Sequence, residues 1–204
     1  MSEAAIYISL ISLCISIMTF YFIHLRPAKL DCLVGSTIGI NHQVEGFSIY
    51  VPFTFTNTAH RAGLVNRCSV VFSRSDQPPV SHYIEWTEFR KRNDDMNRYT
   101  REDFAGPLQI EGRSSISKLV WFRWTEGTYL FVEGRYVLEF FIWKENEVRP
   151  SIRLKHDFFI TSRNVDRLAE SKQEKTTKIE WVGLDKQIES NKLLTKHEVE
   201  VLLG

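Results

Sequence analysis

The sequence predicts a mainly β protein held to a membrane by one N-terminal helix, and three observations lead to this prediction. An uncharged apolar segment lies near the N-terminus. Several later segments alternate apolar and polar residues with a period of two, which is typical of strands. After position 162 the composition becomes mostly charged. We therefore expect a transmembrane anchor at 1–28, a β domain at 29–161, a charged linker at 162–178 and an amphipathic tail with short helices at 179–204.

The anchor is the segment from Ala4 to Ile23, which contains no Asp, Glu, Lys, Arg or Pro. A helix needs about 20 apolar residues to cross the hydrocarbon core of a bilayer, and it satisfies its own backbone hydrogen bonds there. The residues before it are not basic and no small-residue cleavage site follows it, so a cleaved signal peptide is disfavoured. The sequence predicts a single-pass membrane protein.

The charges beside the anchor predict the side on which the β domain lies. Glu3 precedes the anchor, whereas Arg26 and Lys29 follow it. Because positive residues stay on the cytoplasmic side, we expect a cytoplasmic domain. The absence of an Asn-x-Ser/Thr sequon and the small number of cysteines agree with a reducing compartment. An extracytoplasmic domain remains the alternative, since the bias comes from only two residues.

Small and hydroxyl residues recur along one face of the anchor at spacings of four and three. They are Ala5, Ser9, Ser12, Ser16 and Thr19. Small residues let helices approach closely in a membrane, and hydroxyls can hydrogen-bond across such a contact. This seam predicts association of the anchor into a homo-oligomer. Alternatively, the hydroxyls only bond back to their own helix.

The clearest strand runs from Gly46 to Asn57. Its odd-numbered positions, Phe47, Ile49, Val51, Phe53 and Phe55, are all apolar. Strict alternation predicts that this face lies in the core and the other faces water. Pro52 predicts an open edge or a bulge within the strand. About seven short segments of this kind occur between positions 29 and 161, a number typical of an antiparallel β-sandwich.

The segment Glu133-Gly134-Arg135-Tyr136-Val137-Leu138 resembles the Gly-x-Tyr entry to strand F of immunoglobulin-like β-sandwiches. The resemblance implies that Tyr136 is a structural corner tyrosine, whose hydroxyl bonds back to the backbone upstream. Leu138 stands where antibody domains carry a core cysteine, so the resemblance implies no disulfide at this point. It implies a fold and not a function.

A charge-dense segment, 88–103, has no apolar period and is predicted to be an exposed loop. Its basic residues Arg90, Lys91, Arg92, Arg98 and Arg101 are candidates for a binding loop, for example for anionic lipid headgroups. The alternative is an ordinary solvated surface, because mixed charge runs usually have no partner.

The tail regains apolar residues after the charged linker. Trp181, Leu184, Ile188 and Leu202 are the candidate anchors of a recognition peptide that occupies a groove on a partner protein. Docking of the tail on the β domain and binding to the membrane surface are the alternatives.

Motifs for catalysis and cofactors are absent from the sequence. There is no Gly-rich phosphate loop, His-Glu-x-x-His, Cys-x-x-Cys or Gly-x-Ser-x-Gly, so no cofactor, metal or catalytic residue is predicted. His156 falls on the apolar face of a predicted strand and is expected to be a core imidazole. The net charge of +1 disfavours a dedicated nucleic-acid binder.

These observations predict a membrane-anchored binding or scaffolding module that holds a partner, expected to be a protein, at the membrane. An extracytoplasmic domain that binds a glycan or another envelope component is the alternative. A hydrolase is the less favoured third class.

Overall fold

The structure is a computed structural model that describes residues 3–93, 98–145, 147–174, 178–185 and 188–189, and these residues are mainly β. Helix α1 is Glu3–Phe20, a π-helical turn at Tyr21–Leu25 extends it, and helix α2 is Ser162–Gln173. The twelve strands within the described residues are β1 (Leu30–Val34), β2 (Thr37–His42), β3 (Phe47–Asn57), β4 (Gly63–Arg74), β5 (Gln77–Asn93), β6 (Arg98–Phe104), β7 (Leu108–Ile110), β8 (Ser114–Trp124), β9 (Gly134–Lys144), β10 (Ile152–Ile160), β11 (Glu180–Gly183) and β12 (Ile188–Glu189).

Helix α1 and its continuation are long and apolar enough to cross a membrane. The segment Glu3–Ile23 has 21 residues and a mean hydropathy of 2.2, and none of it is buried against the β domain. The hydroxyls of Ser9 and Ser16 donate to the carbonyls of Ala5 and Ser12, each at 2.9 Å. These two seam hydroxyls therefore bond within their own helix, and association through the seam stays a prediction.

One continuous antiparallel sheet forms the β domain, in the order β11-β2-β3-β8-β5-β4-β9-β10-β12. Strand β5 is long enough to pair with β4 through its first half and with β8 and β6 through its second half. The short segment after β11 links the two ends of the sheet. Leu184 donates its amide to the Ser36 carbonyl at 2.8 Å, and Asp185 donates to Asp157 on β10 at 2.8 Å. The sheet is consequently barrel-like.

Aromatic side chains fill the interior of this sheet. The predicted inward face of β3 is confirmed, since its five apolar residues are at most 1% exposed. Phe53 meets Phe140 of β9 edge to face at 5.1 Å between ring centroids, and Phe47 lies 5.0 Å from Phe72 of β4. Such pairs add to the apolar area that each ring removes from water. Pro52 lies where the partner of β3 changes from β2 to β1, and its carbonyl accepts from Gly35 at 2.8 Å.

Tyr136 is fully buried at the start of β9. Its hydroxyl donates to the Val132 carbonyl at 2.9 Å and accepts from the Val132 amide at 3.2 Å. This is the backbone contact expected of a corner tyrosine. It satisfies both polar groups of Val132 at the point where the chain turns into the sheet.

The predicted linker at 162–178 is wrong for most of its length, because residues 162–173 form helix α2. Thr161 caps this helix: its Oγ1 accepts from the Asn164 amide at 3.3 Å, and the Thr161 amide donates back to the Asn164 side chain at 2.9 Å. Leu168 is 1% exposed. The reciprocal cap, the buried Leu168 and the hydrogen bonds of Asn164 and Arg167 to Glu180 of β11 together hold a segment whose composition is otherwise polar.

The prediction for the tail is also wrong where the structure describes it. Glu180–Gly183 is strand β11 on β2 and Ile188–Glu189 is strand β12 on β10, where short helices were expected. The partners of β11 and β12 lie far away in the sequence, so no local pattern predicts that these two segments are strands. Leu202 lies outside the described residues.

Within the expected loop at 88–103, residues 88–93 instead end β5 and residues 98–103 belong to β6, and the two strands pair as an antiparallel hairpin. One face of this hairpin meets solvent and the other lines a groove, so both faces carry charged residues. A period of two in apolar residues is therefore missing, although the backbone is extended.

Replacing Tyr136 with Phe should destabilise the domain by about 1–3 kcal/mol, because the partly buried amide and carbonyl of Val132 lose their partner. Chemical denaturation of the full chain in detergent measures the change. Tyr99→Phe is the control, since Tyr99 is only partly buried and the substitution keeps its ring. Equal stability of the two variants would contradict the corner contact.

Amide hydrogen exchange tests the docking of β11. We expect the Leu184 amide to exchange far more slowly than that of the exposed loop residue Leu130, because Leu184 donates within the sheet. Exchange at the rate of an unstructured peptide would mean that this segment is not part of the domain.

Candidate binding groove

The outward face of β3 and β8 forms the floor of a groove. Tyr50 and Trp121 are partners in the β3–β8 register and their ring centroids are 6.2 Å apart. Each is only 7% exposed. Arg123 follows two residues after Trp121 and therefore lies on the same face of β8. The alternation in β3 predicted that Tyr50 faces water, which is wrong because two further segments cover it.

The β5–β6 hairpin forms one wall, and Tyr99 of β6 lies 6.1 Å from Tyr50 between ring centroids. The opposite wall is the segment that leads into β11. Buried Asn41 of β2 donates to the Lys178 carbonyl at 2.7 Å and fixes the start of this wall. Trp181 completes it, with its ring 5.8 Å from that of Tyr99.

Gly39 of β2 allows the second wall to lie close to the sheet. A Cβ at this position would be 2.5 Å from Cγ2 of Ile179 and 3.3 Å from Cβ of Tyr50. Any larger residue would push the wall outward or displace Ile179. The glycine is thus explained by packing, and not by backbone strain.

The groove encloses about 820 Å³, which is within the range of small-molecule sites. The described residues that line it are Gln43, Tyr50, Arg90, Arg92, Arg98, Tyr99, Thr100, Arg101, Trp121, Arg123, Lys178, Ile179 and Trp181. The charged residues of this set are six cations. We call this surface the basic groove.

Acidic residues behind the lining neutralise part of this charge. Glu88 is 9% exposed, and its carboxylate lies 2.7 Å from Nη2 of Arg90 and 3.7 Å from Nη1 of Arg101. Lys178 donates to Glu174 at 2.8 Å. Arg98 and Arg123 form no ion pair with any residue that the structure describes. The basic groove therefore keeps a positive excess.

Two guanidinium groups lie against the Trp121 indole. The Cζ of Arg90 is 4.2 Å from the ring centroid and that of Arg123 is 5.6 Å away, within the range of cation–π contacts. Burial raises the pKa of the neighbouring Tyr50 hydroxyl, and the charge of Arg90 acts in the opposite direction. Tyr50 stays neutral near pH 7 and can donate a hydrogen bond.

Four of the five predicted binding-loop residues line the basic groove: Arg90, Arg92, Arg98 and Arg101. Lys91 is exposed and does not line it. Of the predicted tail residues, Trp181 lines the groove, whereas Leu184 bridges to Phe158 of β10. Ile188 pairs through its backbone with Lys155, at the other end of the sheet order.

Sequence reasoning missed five important lining residues, which are Tyr50, Tyr99, Trp121, Arg123 and Lys178. Three of them occupy outward positions of β3 and β8, where alternation predicts solvent. The residue types of Tyr50 and Trp121 were the available signal, because large aromatic residues are uncommon on a freely exposed strand face.

The described residues give little support for a metal site or for a reactive histidine or cysteine. They contain no group of three or more His, Cys, Asp or Glu that could hold a metal. His156 is 4% exposed, burial lowers its pKa, and its Nδ1 lies 3.5 Å from the Asp185 carbonyl. Cys32 and Cys68 are free thiols whose pKa burial raises, so neither is activated as a thiolate.

Comparisons with known proteins give no family. No protein-family model matches the chain, and no curated protein matches it. Among solved structures, the chain is similar to the sporulation control protein Spo0M from Bacillus subtilis, with 11% sequence identity and a TM-score of 0.30. The match covers 67% of this chain and 49% of Spo0M, so the chain spans about half the length of that protein.

Proposed function

We propose that the protein is a single-pass membrane protein whose β domain is a binding module for an anionic partner. The observation that carries this proposal is the basic groove, in which six cations and four aromatic rings line one cavity. The immunoglobulin-like interpretation of the domain is part of the proposal, and the contact between Tyr136 and Val132 supports it. Association through the α1 seam and a protein as the bearer of the anionic group also remain proposals.

The groove suits an anion because its cations are held in place before a ligand arrives. Arg90 is fixed between Glu88 and Trp121, so little side-chain freedom remains to be lost on binding. Hydrogen bonds to a charged group contribute about 1.5–3 kcal/mol each. Arg98 and Arg123 have no ion pair among the described residues and are the cations most available to a ligand.

The anchor would keep the bound partner near a bilayer. Arg26 and Lys29 after the apolar segment support a cytoplasmic β domain. In the extracytoplasmic alternative the same groove would suit an anionic glycan, because aromatic rings also stack on sugar faces.

Charge reversal in the groove tests the binding proposal. The full chain in neutral phosphatidylcholine nanodiscs is titrated calorimetrically with tripolyphosphate. Arg98→Glu together with Arg123→Glu should weaken binding at least about tenfold, which corresponds to about 1.4 kcal/mol. Lys91→Glu, on the same hairpin but outside the groove, should change the affinity less than about twofold. Binding that is absent in the parent, or equal in the double variant, would contradict the proposal.

Cysteine labelling tests the side of the membrane. Cys32 and Cys68 are buried, so Val148→Cys, at a position 73% exposed, offers a single accessible thiol on the domain. A membrane-impermeant maleimide should label it only after the cells are permeabilised. Labelling of intact cells at the same rate would place the domain outside the cytoplasm and favour the glycan alternative.

A further inference from the structure

We infer that the ligand of the basic groove is a nucleotide, whose phosphates meet the arginines and whose base stacks on the aromatic rings. The inference rests on the proposed function, because it specifies the ligand of the same groove. It depends on the order of rings and cations along the groove, on two buried donors and on the size of the cavity.

The four aromatic rings of the groove form a row. Successive ring centroids are separated by 6.2 Å from Trp121 to Tyr50, 6.1 Å from Tyr50 to Tyr99 and 5.8 Å from Tyr99 to Trp181. Trp121 and Tyr50 are nearly buried, whereas Trp181 is 40% exposed. A planar group that enters the groove therefore meets Trp181 and Tyr99 first. Stacking of bases on such rings is sequence-tolerant and common in nucleotide sites.

Two of the six lining cations lie at the opposite, buried end of the same row. The guanidinium groups of Arg90 and Arg123 are within 6 Å of the Trp121 ring centroid. A nucleotide carries a flat apolar base at one end and a multiply charged phosphate at the other, and the groove offers an exposed ring at one end of the row and two guanidinium groups at the other. A phosphate alone would use the cations and leave the rings of Trp181 and Tyr99 without a role.

Two buried donors beside the cations have no acceptor among the described residues. They are Nε1 of Trp121 and Nε of Arg90. A buried N–H without a partner costs about 1–3 kcal/mol, so its retention needs an explanation. Phosphate oxygens are acceptors only, so a phosphate beside the stacked Arg90 and Trp121 side chains would offer both donors an acceptor after a small side-chain movement.

The size of the groove separates a nucleotide from a long nucleic acid. The cavity of about 820 Å³ matches a small ligand, and the net charge of the whole chain is only +1. A protein that follows a long strand usually carries a larger basic excess along an open track. The same chemistry is nevertheless offered by a free nucleotide and by the end of a single-stranded RNA, so the experiment includes both.

The test compares four probes on the full chain in neutral nanodiscs without divalent cations: ATP, tripolyphosphate, adenosine and hexa-adenylate RNA with a 5′-triphosphate. ATP should bind at least about tenfold more tightly than either tripolyphosphate or adenosine. RNA that binds more tightly than ATP would identify the end of a strand as the source, and weaker RNA binding would identify the free nucleotide.

Substitutions of Trp181 and Tyr99 test whether the base stacks on these two rings. Trp181→Leu keeps an apolar side chain and removes the planar ring. It should lower the affinity for ATP at least about fivefold and leave the affinity for tripolyphosphate unchanged. Tyr99→Leu provides an independent second variant. Phe159→Leu is the matched control, because Phe159 of β10 is 46% exposed and does not line the groove.

Two results would overturn the nucleotide inference. If tripolyphosphate binds as tightly as ATP, the groove recognises phosphate alone, and the proposed anion-binding function stands without the base. If Trp181→Leu and Tyr99→Leu both leave the affinity for ATP unchanged, the base does not stack on these rings. Failure of every probe to bind would instead reject the proposed function itself.

Discussion

The buried carboxylate of Glu88 is the constraint on which the groove depends. Glu88 lies on β5 between β8 and β6 and is 9% exposed. A buried charge of this kind is strongly destabilising unless a cation lies beside it. Arg90 meets this need, with Nη2 at 2.7 Å, and its guanidinium is thereby held over Trp121. A charged segment that the sequence predicts to be an exposed loop is in this way fixed to the sheet.

Because the hairpin is fixed to the sheet, it shields part of the sheet's outward face from water. Ser48 and Tyr50 of β3 are at most 7% exposed although they alternate with core residues, because the hairpin and the segment before β11 lie over them. Closure of the sheet through Leu184 and Asp185 keeps that segment in place. The position of Trp181 beside Tyr99 is thus a consequence of how the sheet closes, and binding and fold share these contacts.

Local patterns predicted the parts of the protein that local physics determines. The apolar anchor and the inward face of β3 follow from length and period, and Tyr136 makes the contact that its motif implies. Helix α2 was missed because its order depends on a cap and on Leu168, and β11 because its partner β2 lies about 140 residues upstream. The sequence pointed to the arginines of the hairpin because charged residues are dense in that segment. It could not point to Tyr50 and Trp121, because these two residues come together only through strand register.

Location of a bound anion tests the central claim most directly. Crystals of the full chain would be grown with tungstate, a tetrahedral oxyanion that stands in for phosphate, and its anomalous scattering would be measured. The account predicts the strongest peak in the basic groove, within hydrogen-bonding distance of Arg90 or Arg123. Strong peaks confined to other surfaces, with none in the groove, would contradict it.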